Sequence, residues 1–323
     1  MGGGSGFVGR YLMDMLKTQG YEPYNFDIKN DPSQDALNKD LLEKFVDRYG
    51  DFDLIINLIR FQDRKGKGGR DTGLEKPHQC IYENCTTALN LSELAREREI
   101  EKMIYVSSCG VYGVNSSELT EKTHNYPSDP YCASKIAAEN IVRVYTERYG
   151  KQSKCIILRP TIIVGEKQAQ QRNILQDLVD CAYNGRSLPV FQNSTHKQGI
   201  HLREFVHPED ICKAILKSID YFLTMDKIRV ESFILGSETN RISINDLAKR
   251  IIKIVGGKST ILYCTVSEVF NQIACSAKAH EQLKWNAEIG IDAIIERIVC
   301  ERRETNPDRL LASNFRLNPH SDE

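Results

Sequence analysis

Residues 1–12, MGGGSGFVGRYL, decide the fold. Gly3, Gly6 and Gly9 are spaced GxxGxxG, and residues 6–20, GFVGRYLMDMLKTQG, continue with helical apolar spacing. A helix N-terminus presents free backbone N–H groups and the positive end of its dipole, and so attracts a pyrophosphate. Glycines let the chain turn tightly and let phosphates approach the backbone. Gly3, Gly6, Phe7 and Val8 are therefore candidates for holding a dinucleotide. The strand-like segment after the helix, YEPYNFDI (21–28), contains Asp27. A carboxylate about 20 residues beyond such a loop accepts hydrogen bonds from the adenosine ribose hydroxyls. It also repels a 2′-phosphate, which predicts NAD rather than NADP.

Working outward, apolar runs alternate with amphipathic stretches. Residues 35–50 read as helix, 53–59 as a short buried strand and 82–99 as helix. Residues 101–108 read as strand, 131–150 as a long helix and 154–165 as strand. Strands alternating with helices imply a parallel sheet covered on both faces, a doubly wound α/β fold. In that fold the strand before the glycine loop lies at the centre of the sheet, yet only Met1 and Gly2 precede Gly3. The first strand therefore reads as missing. Its absence would leave its neighbours facing each other across a gap, with unpaired backbone groups each costing roughly 1–3 kcal/mol if buried. Three explanations stand: the strand lies upstream of Met1, which is the favoured one, another segment fills the slot, or the protein is a damaged relative.

After about residue 166 the pattern loosens. Residues 1–166 are expected to form the dinucleotide-binding domain, and 167–300 a smaller substrate domain interleaved with its end. Residues 301–323 read as a polar tail. Residues 60–76, RFQDRKGKGGRDTGLEK, read as a solvated loop. As a basic flap over a phosphate-bearing ligand, its candidates would be Arg60, Arg64, Lys65, Lys67 and Arg70.

Composition narrows the class. The chain has 323 residues and a net charge of -1, so no global field favours nucleic acid or an anionic membrane. No apolar run approaches the ~20 residues of a membrane span. Ten cysteines are scattered without a CxxC pair, which reads as reduced thiols and a cytoplasmic protein. His78, Cys80 and Cys85 lie close together in a spacing that fits no common zinc pattern, so no metal is expected.

The segment PSDPYCASKIAAEN (127–140) carries Tyr131 and Lys135, four residues apart and so on one helix face. Upstream, IYVSSCGVYG (104–113) is an apolar strand running into Ser107 and Ser108. That strand end falls at the carboxyl edge of the sheet, where ligands bind in open α/β folds.

Several pieces in order carry a resemblance: GGGSGFVG (2–9), Asp27, KDL (39–41), DLIINL (53–58), Asn84, YVSSCGVYG (105–113), YCASK (131–135), LRPTIIVG (158–165), REFVHPEDICKAI (203–215) and SAKAHEQLKWN (276–286). The chain resembles the extended short-chain dehydrogenase/reductases, in their NAD-dependent epimerase/dehydratase branch, UDP-glucose 4-epimerase-like. The resemblance implies a Rossmann domain and Tyr131 as general acid/base. It implies that Lys135 binds the nicotinamide ribose and lowers the tyrosine pKa, while Ser108 holds the reacting oxygen. By the same likeness Asp40, Leu41, Leu58 and Asn84 join the NAD site, Arg203 grips the substrate diphosphate, and two helices per subunit pair into a homodimer. Tyrosine titrates near ~10 in water, and a neighbouring ammonium favours phenolate.

Three positions depart from the family pattern. Dehydratases of this branch carry an Asp-Glu pair where Cys109 and Gly110 stand, which disfavours dehydration. The substrate-contacting Asn of the epimerases is replaced by Ile162, and residues 265–278 lack the arginine that usually grips the diphosphate. The expectation is an NAD-dependent epimerase or oxidoreductase acting on a secondary alcohol, most simply that of a nucleotide sugar. Two alternatives stand beside it: an alcohol dehydrogenase or ketoreductase on a non-sugar substrate, and a non-catalytic NAD-binding scaffold.

Overall fold

The computed structural model describes residues 1–61, 73–113, 118–150, 152–168, 173–192, 201–226, 229–256, 258–265, 271 and 273–305. Arg64, Lys65, Lys67 and Arg70 of the basic segment lie outside them. The first half runs α1 (Phe7–Thr18), α2 (Lys39–Tyr49), β1 (Leu54–Asn57), α3 (Pro77–Glu97), β2 (Lys102–Val106), α4 (Pro130–Val144), β3 (Lys154–Pro160) and β4 (Ile162–Ile163). The second runs α5 (Ile174–Tyr183), β5 (Leu188–Gln192), β6 (Leu202–Val206), α6 (Pro208–Tyr221), β7 (Val230–Leu235), β8 (Arg241–Ser243), α7 (Ile244–Val255), β9 (Ile261–Thr265), α8 (Ala277–Leu283) and α9 (Ile291–Thr305).

The main sheet has the order β1-β2-β3-β7, all parallel. Its register places Ile55 beside Met103, Ile104 beside Ile156, and Leu158 beside Phe233. These strands are continuous apolar runs because helices cover both faces. Ile56, Ile104, Ile156 and Leu158 face one core with α1 and α6, whereas Ile55, Met103, Tyr105 and Ile157 face another with Leu42, Leu91 and Val142. Side-chain caps start the helices where the sequence supplies them. Asn38 accepts from the Asp40 N–H, Asp129 from the Cys132 N–H, and Ser243 from the Asp246 N–H.

The chain start departs from the expected gap. Met1–Gly3 fill the carboxyl end of the central slot, with Gly2 bridged in parallel to both Phe26 and Asn57. The Gly2 N–H donates to the Ile56 carbonyl (2.9 Å), and the Leu58 N–H donates back to Gly2 (3.0 Å). On the other side the Phe26 N–H donates to Met1 (2.9 Å), and the Gly3 N–H to Phe26 (3.1 Å). Backbone groups next to the glycine loop are thus paired, and the loop keeps its place at the strand end. Residues 21–28 contribute the single bridge at Phe26 rather than a full strand. The Met1 ammonium donates to the Tyr24 carbonyl (2.7 Å), and burial pulls its pKa down to about 5.

A further core gathers Leu175, Val179, Val190, Phe205, Leu247, Ile251, Ile294 and Ile298 from α5, β5, β6, α7 and α9. Two small sheets border it, β4-β6-β8 and the parallel pair β5-β9. The chain returns to the first core in between: Val206, Ile211 and Phe233, then Leu283 and Trp285, pack there. The polar stretch from residue 301 begins as the last turns of α9, where Arg302 pairs with Asp180 (2.9 Å). Residues 306–323 lie outside the described part.

Candidate active site

The glycine loop is shaped by close approach. Gly3 has φ +85°, which a side chain rarely adopts. A methyl group at Gly9 would collide with the carbonyl groups of Gly3 and Gly4. Helix α1 then starts at Gly6 with no side-chain cap and no acid in its first turn, so its N–H groups and dipole remain available to an anion. Asp27 stands beside this turn, its carboxylate accepting from the Ser5 N–H (2.9 Å) and the Lys29 N–H (2.8 Å). At the carboxyl ends of β1 and β2, the buried Asn57 Nδ2 and Ser107 Oγ have no hydrogen-bond partner among the described residues. Buried polar atoms of this kind normally find a partner. An uncapped helix start, a ribose-type acid and two unsatisfied polar atoms along one sheet edge fit a dinucleotide.

Other candidates for that site are placed less uniformly. Leu58 lies directly under Gly3 and donates its N–H to Gly2. Phe7 and Val8 form the first turn of α1, with Val8 packed on the core. Asp40 and Leu41 are in the first turn of α2, Asp40 exposed and Leu41 against the core. Gln34, which sequence reasoning passed over, accepts the Asp27 N–H (3.0 Å). Asn84 is buried and fully engaged, accepting from the Phe61 N–H (2.6 Å) and donating to Ser134 Oγ (2.8 Å). It fastens α3 both to α4 and to the segment after β1.

Tyr131 and Lys135 share the inner face of α4, as their spacing predicts. Lys135 is 2% exposed, donates to the Val106 carbonyl (3.0 Å), and stands 4.8 Å from the Tyr105 ring centroid and 5.9 Å from that of Tyr131. Burial first, and then the charge of Arg60, draw its pKa down to about 7, with Glu139 opposing. Arg60 reaches the same place from the end of β1, its guanidinium carbon 5.8 Å from the Tyr131 ring centroid. Ser108, two residues past β2, caps a short 3-10 turn, Cys109–Tyr112, its Oγ accepting from the Gly110 N–H (3.0 Å). An added Cβ at Gly110 would lie 3.3 Å from Ser108 Oγ and 2.7 Å from Cys132 Sγ, so Gly110 packs between Ser108 and the first turn of α4.

A buried ion pair that sequence reasoning missed holds this arrangement. Arg159, at the end of β3, donates through Nε (3.0 Å) and Nη2 (2.6 Å) to the two carboxylate oxygens of Glu139. Its Nη1 donates to the Tyr112 hydroxyl (2.6 Å). Burial opposes the Arg159 charge, but the bonds to Glu139 and Tyr112 outweigh it and raise the pKa. Glu139 lies one turn beyond Lys135, so the pair ties the Tyr131–Lys135 helix to the turn that carries Ser108. A glutamate at i+4 from the lysine was the available signal. The Cys109 thiol donates to the Arg159 carbonyl (3.0 Å), and burial pushes its pKa up, which leaves it inert.

Arg203 lies in β6, next to the buried His201, whose Nδ1 has no partner among the described residues. Burial and then the Arg203 charge lower the His201 pKa to about 4. The following residue, Glu204, is buried and accepts from Arg241 Nε (2.8 Å) and the Ala274 N–H (3.1 Å). Among the described residues, Glu166, His207 and Glu209 bring ligand-type atoms within 4.8 Å of one another. Arg297 pairs there with Glu209 (2.9 Å) and lies 3.8 Å from Glu166, so a cation already balances the acids. No helix among the described residues is long and apolar enough to cross a membrane.

Residues 1–229 match the model of the NAD dependent epimerase/dehydratase family. A putative UDP-glucose 4-epimerase of Methanocaldococcus jannaschii is 26% identical, over 94% of this chain and 98% of its own length. The Bacillus subtilis UDP-glucose 4-epimerase is 24% identical, over 90% of this chain and 92% of its own. Among solved structures, the Thermotoga maritima UDP-glucose 4-epimerase with UDP-glucose superposes with a TM-score of 0.78 at 21% identity, covering 94% of this chain and 98% of that one. The Thermus thermophilus UDP-glucose 4-epimerase complex with NAD gives 0.77 at 20% identity, with coverage of 94% and 98%. With the family model spanning its glycine loop, its Tyr131–Lys135 helix face and strands β1, β2 and β3 of its main sheet, the chain belongs to the NAD-dependent epimerase/dehydratase family of enzymes, whose cofactor is NAD.

Proposed function

We propose that the protein is a nucleotide-sugar 4-epimerase, acting on a UDP-sugar by transient oxidation of one secondary alcohol. The observation that carries this reading is the placement of Tyr131 by a buried Lys135, which donates to Val106 at the end of β2, two residues before Ser108. NAD, when held by the glycine loop and Asp27, would supply reversible hydride acceptance. All proton handling falls to this chain. The Tyr131 phenolate accepts the substrate hydroxyl proton as the carbon becomes a ketone, and returns it when the carbonyl is reduced from the other face. Ser108 Oγ holds the reacting oxygen, Lys135 holds the ribose, and Asp27 takes the adenosine ribose hydroxyls. Arg203 is assigned to the diphosphate.

Two features favour epimerisation over dehydration. Cys109 is buried with its thiol turned to the Arg159 carbonyl, and Gly110 has no room for a side chain beside Cys132. Neither position can supply the acid and base that remove water from a sugar. The exposed Ile81, Tyr82 and Leu89 of α3 and Val144 of α4 support a homodimer through these helices, which sedimentation equilibrium tests as twice the chain mass.

The deciding experiment incubates the NAD-loaded protein with UDP-glucose, UDP-galactose and their dTDP counterparts. Products are separated by chromatography and identified by retention against the authentic epimers. Conversion of one UDP-sugar into its 4-epimer, lost in Tyr131→Phe while NAD still binds, is the expected result. Accumulation of NADH with a released ketone, or full activity in Tyr131→Phe, overturns the proposal.

A further inference from the structure

A cavity of about 440 Å³ lies beside the glycine loop, apart from Tyr131 and Lys135. Ser5 of the loop, Arg10, Tyr11, Met13 and Asp14 of α1, and Lys167 of the turn after β4 line it. We propose that this cavity binds a hydroxylated phosphomonoester of the sugar-phosphate class, with its phosphate on Arg10 and Lys167 and its hydroxyls on Asp14 and Ser5.

The two cations come from segments 157 residues apart, and neither forms an ion pair with a carboxylate among the described residues. Arg10 Nη2 donates to the Lys167 carbonyl, and the Lys167 ammonium stands 5.5 Å from the Tyr11 ring centroid. The acids nearest to Lys167 are engaged elsewhere. Glu166 faces His207 Nε2 (3.0 Å), and Glu301 accepts from the Lys167 N–H (2.7 Å) and from Arg302 Nη1 (3.1 Å). The backbone of Lys167 is itself unusual. Its φ is +62°, a conformation unfavourable to a residue with a side chain. The other described non-glycine residues with such a φ, Glu99 and Lys284, close the ends of α3 and α8, whereas Lys167 ends no helix. Arg10 on its carbonyl and Glu301 on its N–H fix the turn.

This lining selects the ligand. A guanidinium and an ammonium without carboxylate partners suit a phosphate, whose oxygens take charge-assisted hydrogen bonds from both. The cavity holds about fifteen water volumes, far more room than one phosphate fills. Asp14 lies four residues from Arg10 yet forms no ion pair with a described cation, so its carboxylate can accept hydroxyl protons. It repels a bare phosphate, and so favours an anion that brings hydroxyl groups with it. Ser5 Oγ accepts from Asn25 Nδ2 (2.9 Å), which leaves its own O–H to donate. Met13 adds apolar surface for the C–H face of a sugar ring.

The test is calorimetric titration of the full chain with glucose 1-phosphate, inorganic phosphate and glucose. NAD and UDP are both kept in excess, so that binding at the glycine loop or at a diphosphate subsite is not counted. Glucose 1-phosphate should fill one saturable site, inorganic phosphate should bind it more weakly by about fivefold or more, and glucose should give no saturable heat. Arg10→Met and Lys167→Met should each weaken glucose 1-phosphate about tenfold, with NAD affinity unchanged. Lys167→Met leaves the backbone bonds of the turn in place, so its loss reports the ammonium alone. Asp14→Ala should narrow the preference for glucose 1-phosphate over inorganic phosphate, because it removes the hydroxyl acceptor and relieves both ligands of the same repulsion. Absence of saturable binding, or an unchanged affinity in Lys167→Met or Arg10→Met, overturns the proposal. Inorganic phosphate binding as tightly as glucose 1-phosphate, or a preference unaltered in Asp14→Ala, overturns the sugar-phosphate assignment.

Discussion

Replacing Glu139 by glutamine tests the ion pair beneath the site. The side chains of Arg159 and Glu139 are only 6% and 4% exposed, and two hydrogen bonds join them. Glu139→Gln keeps the shape, removes the countercharge, and sets an amide N–H against a guanidinium N–H if the amide turns the wrong way. Removing one partner of a buried pair costs about 3–5 kcal/mol, because the other charge stays buried without compensation. The double variant Glu139→Met/Arg159→Met removes both charges and should recover most of that loss. The chain has one tryptophan, Trp285, which is buried in the first core with Nε1 donating to the Asp210 carbonyl (2.7 Å), so its fluorescence reports the unfolding of that core. Urea titrations of the three proteins give the difference from the midpoints at constant slope. A loss below about 1 kcal/mol in Glu139→Gln refutes the reasoning. A double variant no more stable than the single one does so as well. The single variant should also lose activity, because Tyr112 and the turn carrying Ser108 hang on Arg159.

Lys135 gives a pH signature of stability. Its pKa falls from 10.5 to about 7, through burial first and the Arg60 charge second. Between those values the unfolded chain binds a proton that the folded one has released, so stability rises with pH across the window. Lys135→Met should remove a slope of up to about 1.4 kcal/mol per pH unit, read from urea midpoints at successive pH values. A variant that keeps the wild-type slope contradicts the assignment. Asp27→Asn should weaken NAD binding by roughly ten- to a hundredfold, from hydrogen bonds to a charged group worth about 1.5–3 kcal/mol. It should also narrow the preference over NADP, as titration calorimetry with both dinucleotides would measure. An unaltered NAD affinity removes Asp27 from the site.

The parts of the site that were legible in the sequence are those written in local spacing. Tyr131 and Lys135 meet because four residues make one helical turn, and the glycine loop reads directly because close backbone approach admits no other residue. Ser108 was placed by its distance from the residues that follow it. The parts that escaped depend on contacts between distant segments. Arg60 looked like the edge of a solvated loop, yet the turn after β1 aims it at α4. Arg159 and Glu139 are 20 residues apart and meet only when β3 packs against α4. Residues 21–28 have strand-like composition, but Met1–Gly3 offer them only a short edge, so pairing is confined to Phe26. The apolar runs of the main sheet were read correctly because both of their faces are buried. The break between β3 and β4 was not, because the apolar run continues through it.

Phe205 and Val206 are neighbours in β6, yet one packs into the core of α5, α7 and α9 and the other into the core under the main sheet. The chain passes between these cores again through α6 and β7, through α7, and through α8 before α9. A cut anywhere between α1 and α8 therefore divides the core under the main sheet, and the two cores are built to melt as one cooperative unit. A dinucleotide gripped at the glycine loop should consequently protect the amides of α9 from hydrogen exchange.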